Sequence, residues 1–454
     1  MPILSRPVPS ALLAALGTAA LVLATAACQS APTAPPGPSA SATAASQHSS
    51  TPGPSPVATV DRVSGWRSDL ELIVPGMDRI HPNLTHGTTL EALNEAITDL
   101  SAAVETSTDD ELMVGVAQIV AMVSAEGHDG HTGVFLWGTG TYPVDSLPLR
   151  LWLFEDEVVI VDALPPYEDL VDTRIDTLDG RPIAEVLAAL DPVIPRDNAQ
   201  TVRLLAPRYL LIPQVLRGLG IAGDGPIALG VTTADGVEDV HLVEPVPMAE
   251  YNGWAGPYGL HLPADPDVLY LSNIEDDLWW EVLFDARTLY IQYNRVEHQS
   301  PAILDELEAA LTDPAIERVV LDIRHNYGGE VPALEPFYEL FDDPLVDVPG
   351  ELFVITGRNT WSAGSMLLAR LEAGTSATIV GESMGGNPTF YGDVTEVRLP
   401  YSGLSVTVTG MLEVGVDPDD PRDTIEPDQP RPLTREDWGS GFDAALAFIV
   451  VYAP

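Results

Sequence analysis

The chain has 454 residues, 45% of them hydrophobic, which is enough for two or three domains with sizeable cores. It carries 67 Asp and Glu against 21 basic residues, for a formal net charge of −46. A surface of this charge repels phosphate backbones, so nucleic-acid binding is not expected. All 21 basic residues are Arg. Mechanisms that need a catalytic lysine, such as a Ser–Lys dyad or a Schiff base, are therefore excluded.

The first 28 residues have the pattern of a bacterial export signal. Arg6 precedes an apolar run from residue 11 to residue 27, which ends in small residues just before Cys28. Cys28 is the single cysteine, so no disulfide can form within the chain. The stretch Leu-Ala-Thr-Ala-Ala-Cys at 23–28 resembles the lipobox of bacterial lipoproteins, and that resemblance implies cleavage before Cys28 and lipidation of its thiol. We therefore expect an extracytoplasmic protein anchored to the membrane, or a secreted one if Cys28 carries no lipid.

Composition and periodicity divide the rest of the chain into four segments. Residues 29–58 are rich in Ala, Pro, Ser and Thr without apolar periodicity, which predicts a disordered tether. Residues 59–140 have helical spacing, and residues 141–270 form a mixed, strand-rich middle section. In residues 271–454 strand and helix signals alternate, which favours a largely parallel sheet covered by helices and hence an α/β core.

Individual elements can be predicted in each segment. Thr108 and Glu111 form a capping box at the start of one helix, and an earlier helix is expected from Thr89 to about Val104. Ser300 caps a helix that begins with Pro301. The other predicted strands and helices are 149–153, 158–161, the helix 183–190, 227–231, 240–243, 289–293, 319–323, 352–355, the helix from about 361 to 372, 378–380, and a last helix from Thr434 through Phe448.

Three glycine-rich loops carry the candidate chemistry: residues 126–132, 322–330 and 357–365. The third places Ser362 where a strand turns into a helix. A serine there is usually a helix cap, but a nucleophile at this position gains from the free N–H groups and the helix dipole, which stabilise developing negative charge. The pair Gly328-Gly329, at the end of a neighbouring strand, could supply a second N–H to an oxyanion hole.

A serine nucleophile needs a base, and without lysine the natural candidate is one of the nine histidines. His81 stands before a proline near a helix end, which indicates a structural role. His128 and His131 share one short glycine-rich loop, which favours function. His325 lies in the Gly-Gly loop, where it could line the same cleft.

Several motifs occur together in the order typical of one family. The segment from residue 268 to about 450 resembles the tail-specific, or C-terminal-processing and tricorn-type, serine peptidases. The stretches that carry the resemblance are Val319–Gly329, Thr360–Gly364, Val380–Gly386, Ile425–Asp428 and, upstream, His81–Leu84 and Asp129–Thr132.

The resemblance implies a crotonase- and ClpP-like core of sheet and helices. It also implies Ser362 as the nucleophile, with oxyanion donors on the backbone of Gly328 or Gly329 and of Ala363. One branch of the family uses a lysine about 25 residues after the serine, where this chain has Asn387. The tricorn branch uses a histidine that His131 matches.

The orienting partners of this histidine differ from the family pattern. In the tricorn branch a serine precedes the histidine and links it to a distant acid. Gly130 stands in its place here, so that link is altered or absent. The resemblance leaves three candidates for an orienting acid: Asp420, Asp423 and Glu426. In the middle section, residues 174–183 resemble the late strand and turn of a PDZ module, although no carboxylate-binding loop is evident.

Three functions are compatible with these residues. The first is a serine peptidase that cleaves peptides or unfolded protein with Ser362 and His131 and needs no cofactor or metal. The second is a non-catalytic protein that binds peptides or apolar ligands on the same scaffold. The third is a metallohydrolase in which His128 and His131 are ligands, flanked by Glu126 and Asp129, although these histidines are three apart in a loop rather than four apart on a helix.

Overall fold

The computed structural model describes residues 60–138, 140–256, 261–283 and 287–452. The predicted signal peptide 1–28, with Cys28, and the predicted tether 29–58 lie outside the described residues. Over the described ranges, none of the helices combines the length and the apolar character that a membrane span requires.

The described residues form a mixed α/β structure with several sheets. The helices are α1 (Arg62–Ile80), α2 (Leu90–Ala103), α3 (Asp109–Ala121), α4 (Ile183–Leu190), α5 (Ala199–Leu210), α6 (Pro213–Gly218), α7 (Met248–Ala255), α8 (Leu269–Ser272), α9 (Pro301–Leu311), α10 (Leu334–Tyr338), α11 (Ala363–Gly374), α12 (Arg435–Ser440) and α13 (Ala444–Val451). The strands are β1 (Asp145–Ser146), β2 (Leu149–Phe154), β3 (Glu157–Ala163), β4 (Arg174–Leu178), β5 (Arg181–Pro182), β6 (Ile227–Thr232), β7 (Glu238–Val243), β8 (Val246–Pro247), β9 (Leu278–Val282), β10 (Thr288–Tyr293), β11 (Arg318–Asp322), β12 (Leu352–Thr356), β13 (Thr378–Gly381), β14 (Thr389–Arg398), β15 (Ser405–Val414) and β16 (Gln429–Pro430).

A six-stranded sheet organises the C-terminal part, in the order β16-β13-β12-β11-β10-β9. Each neighbouring pair is parallel except β10 with β9, so the largely parallel sheet predicted for this segment is confirmed. β11 and β12 are in register from Val319 opposite Leu352 to Asp322 opposite Ile355. Their carboxyl ends therefore reach the same edge of the sheet, where the loops after them begin.

Both faces of this sheet are covered, which explains the nearly continuous apolar runs of its strands. Val319 and Leu321 of β11 face a core shared with α9, α10 and α11. Val320, between them, faces the opposite core, which Ala445 and Ile449 of α13 complete. Burying a side chain of this size stabilises the fold by about 1.5–3 kcal/mol.

The N-terminal helices and the middle section share one further core. A second sheet, in the order β2-β3-β4-β6-β7, is antiparallel throughout, and its apolar side chains pack with those of α1 and α3. Val397, Val406 and Val408 of the β14–β15 hairpin belong to the same core. This hairpin comes late in the chain, yet it packs against the N-terminal segment and so links the two ends of the described fold.

Most of the sequence-based elements are present. The capping box of Thr108 and Glu111 opens α3, and Ser300 caps α9. The helix predicted from Thr434 through Phe448 is wrong as a single element, because two helices, α12 and α13, occupy this stretch. Gly441 ends the first in a left-handed conformation (φ 67°), and Asp443 caps the second.

Candidate active site

Ser362 lies in the turn between β12 and α11, immediately before the first residue of that helix. Its backbone has φ 56° and ψ −128°, a conformation that costs a non-glycine residue about 1–3 kcal/mol and needs support from its surroundings. Two bonds give that support. The Thr360 hydroxyl donates to the Ile323 carbonyl at 2.8 Å, and the Trp361 N–H donates to the Asn326 carbonyl at 2.9 Å.

The Gly-Gly loop after β11 lies directly against this turn. An ideal Cβ on Gly328 would be 2.5 Å from Ser362 Cβ, 2.9 Å from Ala363 N and 3.0 Å from Ser362 Oγ. Gly328 also has φ 100°. A side chain at residue 328 is thus excluded both by the backbone conformation and by the serine itself. The structure brings the Gly-Gly loop and the serine turn together as the sequence predicts.

The two glycines differ in whether their N–H groups are available. The Gly328 N–H donates to Asn326 Oδ1 at 2.9 Å. The Gly329 N–H has no acceptor among the described residues. On either side of Gly329, the Val296 N–H donates to the Gly328 carbonyl, and the Val296 carbonyl accepts from the Glu330 N–H. The Ala363 N–H, at the start of α11, is likewise without an acceptor in the described part of the chain. Two free N–H groups therefore flank the Ser362 turn, from Gly329 and Ala363.

His131 is packed between two aromatic rings. Its imidazole stacks on Trp361, with ring centroids 4.2 Å apart and planes at 17°, and on Phe390, with centroids 5.4 Å apart. Burial lowers the pKa of His131 to about 4, while the Coulombic attraction of Asp129 acts in the opposite direction. Its Nδ1 atom is buried, and it has no hydrogen-bond partner in the described residues. The imidazole is therefore neutral at pH 7 and oriented by stacking.

The structure places an acid beside His128 rather than beside His131. His128 Nε2 is 3.5 Å from Asp423 Oδ1. Its Nδ1 is 2.5 Å from the amide of Asn387, the residue at the position of the missing lysine. With the Asn387 oxygen facing His128 Nδ1, its amide nitrogen donates to the Asp423 carbonyl at 2.5 Å and to the Asp197 carbonyl at 3.1 Å. This arrangement fastens the histidine loop to the chain after β13.

The remaining candidates from the sequence lie elsewhere. Asp420 pairs with Arg422 at 2.8 Å, and Glu426 accepts a hydrogen bond from the Ser383 hydroxyl. Neither contacts His131 in the part of the chain that the structure describes. His325 is buried and, with Tyr270, lines a cavity of about 40 Å³; burial lowers its pKa to about 3.

One cluster has ligand types suited to a metal ion: His81, His86 and Asp129. Asp129 Oδ2 is 3.0 Å from His81 Nε2 and 3.7 Å from His86 Nε2. However, His81 Nδ1 accepts a hydrogen bond from the Asn83 N–H at 2.9 Å, so the proton of a neutral His81 is on Nε2. That nitrogen donates to Asp129 and has no lone pair for a metal. We therefore read this cluster as a buried His–Asp hydrogen bond that holds the loop containing His131.

Asp129 stays ionised in this setting. Burial alone would raise the pKa of its carboxyl, but contacts with His81, His86 and Thr132 outweigh burial and lower it to about 2. At neutral pH the histidine loop thus carries a negative charge two residues before His131.

Sequence reasoning missed Asp197, a buried residue just before the Asn198 cap of α5. Its carboxylate accepts hydrogen bonds from the Gly130 N–H at 2.9 Å and from the Trp361 indole N–H. An ideal Cβ on Gly130 would be 2.8 Å from Asp197 Oδ2, so this carboxylate takes up the space of a side chain at residue 130. The Asp-Asn pair at a helix start was the available signal, but it indicated only a cap.

No family model matches the chain, and the curated proteins give no match either. Among solved structures, the chain is similar to mature CPAF complexed with lactacystin, with a TM-score of 0.59 and 14% identity over 86% of this chain and 97% of that one. Mature CPAF gives a TM-score of 0.55 and 13% identity over 86% and 96%. The photosystem II D1 C-terminal processing protease gives 0.40 and 15% over 82% and 94%.

The chain has the fold of the tail-specific protease family. The resemblance drawn from its motifs is thereby confirmed at the level of the fold.

The close approach of Gly328 to Ser362 can be tested by substitution. Gly328→Ala adds backbone strain and a clash with Ser362, so we expect it to lower the free energy of unfolding by about 3–4 kcal/mol. Gly180→Ala is the matched control, because Gly180 also has positive φ (77°) but nothing lies within 4 Å of its ideal Cβ. Strain alone should cost that variant about 1–2 kcal/mol. Urea unfolding measures the free energy of unfolding of both variants. Equal losses of stability would contradict a clash at residue 328.

Proposed function

We propose that this protein is an extracytoplasmic serine peptidase that hydrolyses peptide bonds through an acyl-enzyme. One observation carries the proposal: Ser362 is held in a strained conformation at the start of α11, beside the free N–H groups of Gly329 and Ala363. A serine that served only as a helix cap would bond to the first turn, but the Ser362 side chain makes no capping bond. The CPAF-like fold supports the same reading.

The proposed reaction assigns one role to each group. Neutral His131 accepts the Ser362 hydroxyl proton as Oγ attacks the carbonyl carbon of the peptide bond. The carbonyl oxygen becomes the oxyanion, which the Gly329 and Ala363 N–H groups stabilise, at about 3–4 kcal/mol for each donor. The tetrahedral intermediate collapses, its C–N bond breaks, and His131 returns the proton to the leaving amine. Water then attacks the acyl-enzyme with His131 again as the base, which releases the carboxylic acid and restores the serine.

His131 has to accept a proton although burial disfavours the imidazolium form. Asp129, which remains ionised, supplies the compensating negative charge, because its Coulombic interaction favours protonated His131. No hydrogen bond joins Ser362 and His131 in the described residues, and such bonds commonly tighten only when substrate is bound. The stack on Trp361 places the imidazole against the residue next to Ser362.

The finer features of the fold belong to the same proposal. The largely parallel sheet with helices on both faces supports a crotonase- and ClpP-like core. In the middle section, β4, the turn at Asp179-Gly180 and α4 follow one another as in the late part of a PDZ module. We propose that this section contributes to binding the peptide chain.

The activity can be tested with unfolded protein and a peptide mixture, and cleavage read by mass spectrometry. We expect the wild type to cleave and a serine-directed phosphonate to label Ser362. Ser362→Ala should abolish both, and His131→Ala should lower the rate by at least about 1000-fold. His128→Ala is the matched control on the same loop and should retain most of the activity.

Two outcomes would overturn these assignments. If His128→Ala were inactive and His131→Ala active, the base would be His128 with Asp423 as its acid. If the folded wild type neither cleaved nor reacted with the phosphonate, the peptidase proposal would fail, and a binding protein for peptides or apolar ligands would take its place.

The pH dependence tests the protonation state of His131. Because the base must be neutral, the rate constant for phosphonate labelling should rise with pH through about 4, the pKa of His131. In Asp197→Asn, which removes a carboxyl whose pKa burial raises to about 7, it should then stay flat between about pH 5.5 and 6.5. An unperturbed histidine would instead give an inflection near 6.5. Initial rates over short times measure this profile. An inflection near 6.5 that persists in this variant would contradict a neutral base held by stacking.

We further propose that lipidation of Cys28 anchors the peptidase to the outer face of the cell membrane. The lipobox-like residues before Cys28 support this placement. Cys28→Ser should move the protein from the membrane fraction to the medium or to a soluble extracytoplasmic fraction, while the specific activity stays the same. Fractionation followed by immunoblotting measures the change, and retention of the variant in the membrane would contradict the anchor.

A further inference from the structure

Asp197 joins the two loops that the proposed mechanism needs to hold together. Asp197 is 1% exposed, and each oxygen of its carboxylate accepts a hydrogen bond from one N–H group. Oδ1 accepts from the Gly130 backbone at 2.9 Å, and Oδ2 accepts from the Trp361 indole. Gly130 immediately precedes His131, and Trp361 immediately precedes Ser362. A single carboxylate therefore bonds to both neighbours of the proposed catalytic pair.

The backbone around Asp197 is itself fixed. The His128 N–H donates to the Asp197 carbonyl at 2.9 Å, and the Asp129 N–H donates to the Arg196 carbonyl at 3.3 Å, so the histidine loop runs alongside this segment. On the other side, the Asp197 N–H donates to Thr201 Oγ1 at 3.1 Å within the capping box of α5. The carboxylate is thus attached to a helix start that has little freedom to move.

The indole bond matters because Trp361 forms one wall of the His131 site. The two rings are 4.2 Å apart and 17° from parallel, so the plane of the indole sets the plane of the imidazole. The indole N–H bond to Asp197 fixes the rotation of the Trp361 ring. No described carboxylate bonds to either ring nitrogen of His131, so the stack has to provide the orientation that an acid provides in a Ser–His–Asp triad.

We propose that Asp197 is the positioning residue of this peptidase: it holds His131 and Ser362 in register through the Gly130 N–H and the Trp361 indole instead of through a bond to the imidazole. This inference rests on the proposed function. It accounts for the glycine at residue 130, since a Cβ there would be 2.8 Å from the carboxylate. It also accounts for a buried carboxylate that pairs with no cation in the described structure.

Substitutions at both ends of the indole bond test the proposal in the full-length protein. Asp197→Asn keeps the shape of the side chain but replaces one acceptor oxygen with an NH₂ donor. This donor would face the N–H of Gly130 or of Trp361, so one of the two hydrogen bonds is lost. We expect kcat and the rate constant for phosphonate labelling of Ser362 to fall about 100-fold, with little change in KM. Trp361→Phe keeps an aromatic wall and removes only the indole N–H. It should slow both reactions, and the double variant should be no slower than Asp197→Asn, because both substitutions break the same bond.

Asp69→Asn is the matched control for a purely structural effect. Asp69 is also 1% exposed, and its carboxylate likewise accepts two N–H groups, from Tyr401 at 3.0 Å and from Ser402 at 2.7 Å. It contacts neither catalytic loop through these bonds. This variant should lose stability in urea unfolding but keep kcat and the labelling rate close to those of the wild type.

The outcomes separate this inference from the function on which it rests. If the wild type cleaves and Asp197→Asn matches it within about twofold, or if Asp69→Asn loses as much activity, the positioning role is overturned while the peptidase stands. If Asp197→Asn does not fold, Trp361→Phe provides the test. Cleavage and labelling at the wild-type rates in that variant would overturn the positioning role of Asp197. If the wild type is inactive towards both peptide and phosphonate, the peptidase proposal fails and the positioning role fails with it.

Discussion

The parallel pairing of β11 with β12 is the constraint on which the candidate site depends. It brings the ends of both strands to one edge of the sheet, so that the Gly-Gly loop and the serine turn leave the sheet side by side. Only then can Thr360 bond to Ile323 and Trp361 to Asn326. A shift of one residue would exchange the side chains of the two cores, and the buried faces of β11 therefore hold the register that positions Ser362.

Local sequence signals predicted the elements well where a few neighbouring residues decide the structure. The Thr108 capping box and the Ser300 cap are examples, and so is the turn that contains Ser362. The β14–β15 hairpin was not predicted, although alternating valines and the turn around Gly403 could have indicated it. The single helix expected to reach Phe448 is wrong because the left-handed turn at Gly441 ends one helix before the next begins.

The contacts that complete the site could not be read from local patterns. His128 meets Asn387 across 259 residues of sequence, and Asp197 meets Trp361 across 164. Each pair depends on how the N-terminal segment packs against the loops of the parallel sheet. Neither an isolated Asn nor an Asp at a helix start indicates such a partner. The motifs therefore identified the serine and its loop, whereas the surroundings of both loop histidines had to come from the tertiary structure.

Two buried carboxylates near the histidine loop have opposite properties, and the difference follows from their neighbours. Asp129 faces two histidines and a backbone N–H, which lower its pKa to about 2 in spite of burial. Asp197 has only two N–H donors, and the charge of Asp129 adds to burial, so that its pKa rises to about 7. A carboxyl whose pKa is raised on folding stabilises the folded state most at low pH, and this contribution is lost as pH rises through about 7. Carboxyls with a strongly perturbed pKa occur most often at functional sites, and Asp197 lies between the histidine loop and the serine turn.

Charged residues near the site form buried ion pairs, in contrast to the exposed carboxylates of the acidic surface. Arg358 pairs with Glu382 at 2.8 Å, and Arg324 pairs with Asp443 at 2.7 Å, both with little exposure, next to the ends of β12 and β11. Removing one partner of such a pair typically costs about 3–5 kcal/mol, because the remaining charge is left buried. Dissolved salt screens the mutual repulsion of exposed carboxylates, but it screens buried pairs much less. The strand ends that carry the Gly-Gly loop and the serine turn are therefore held by interactions that the ionic strength around the acidic exterior hardly affects.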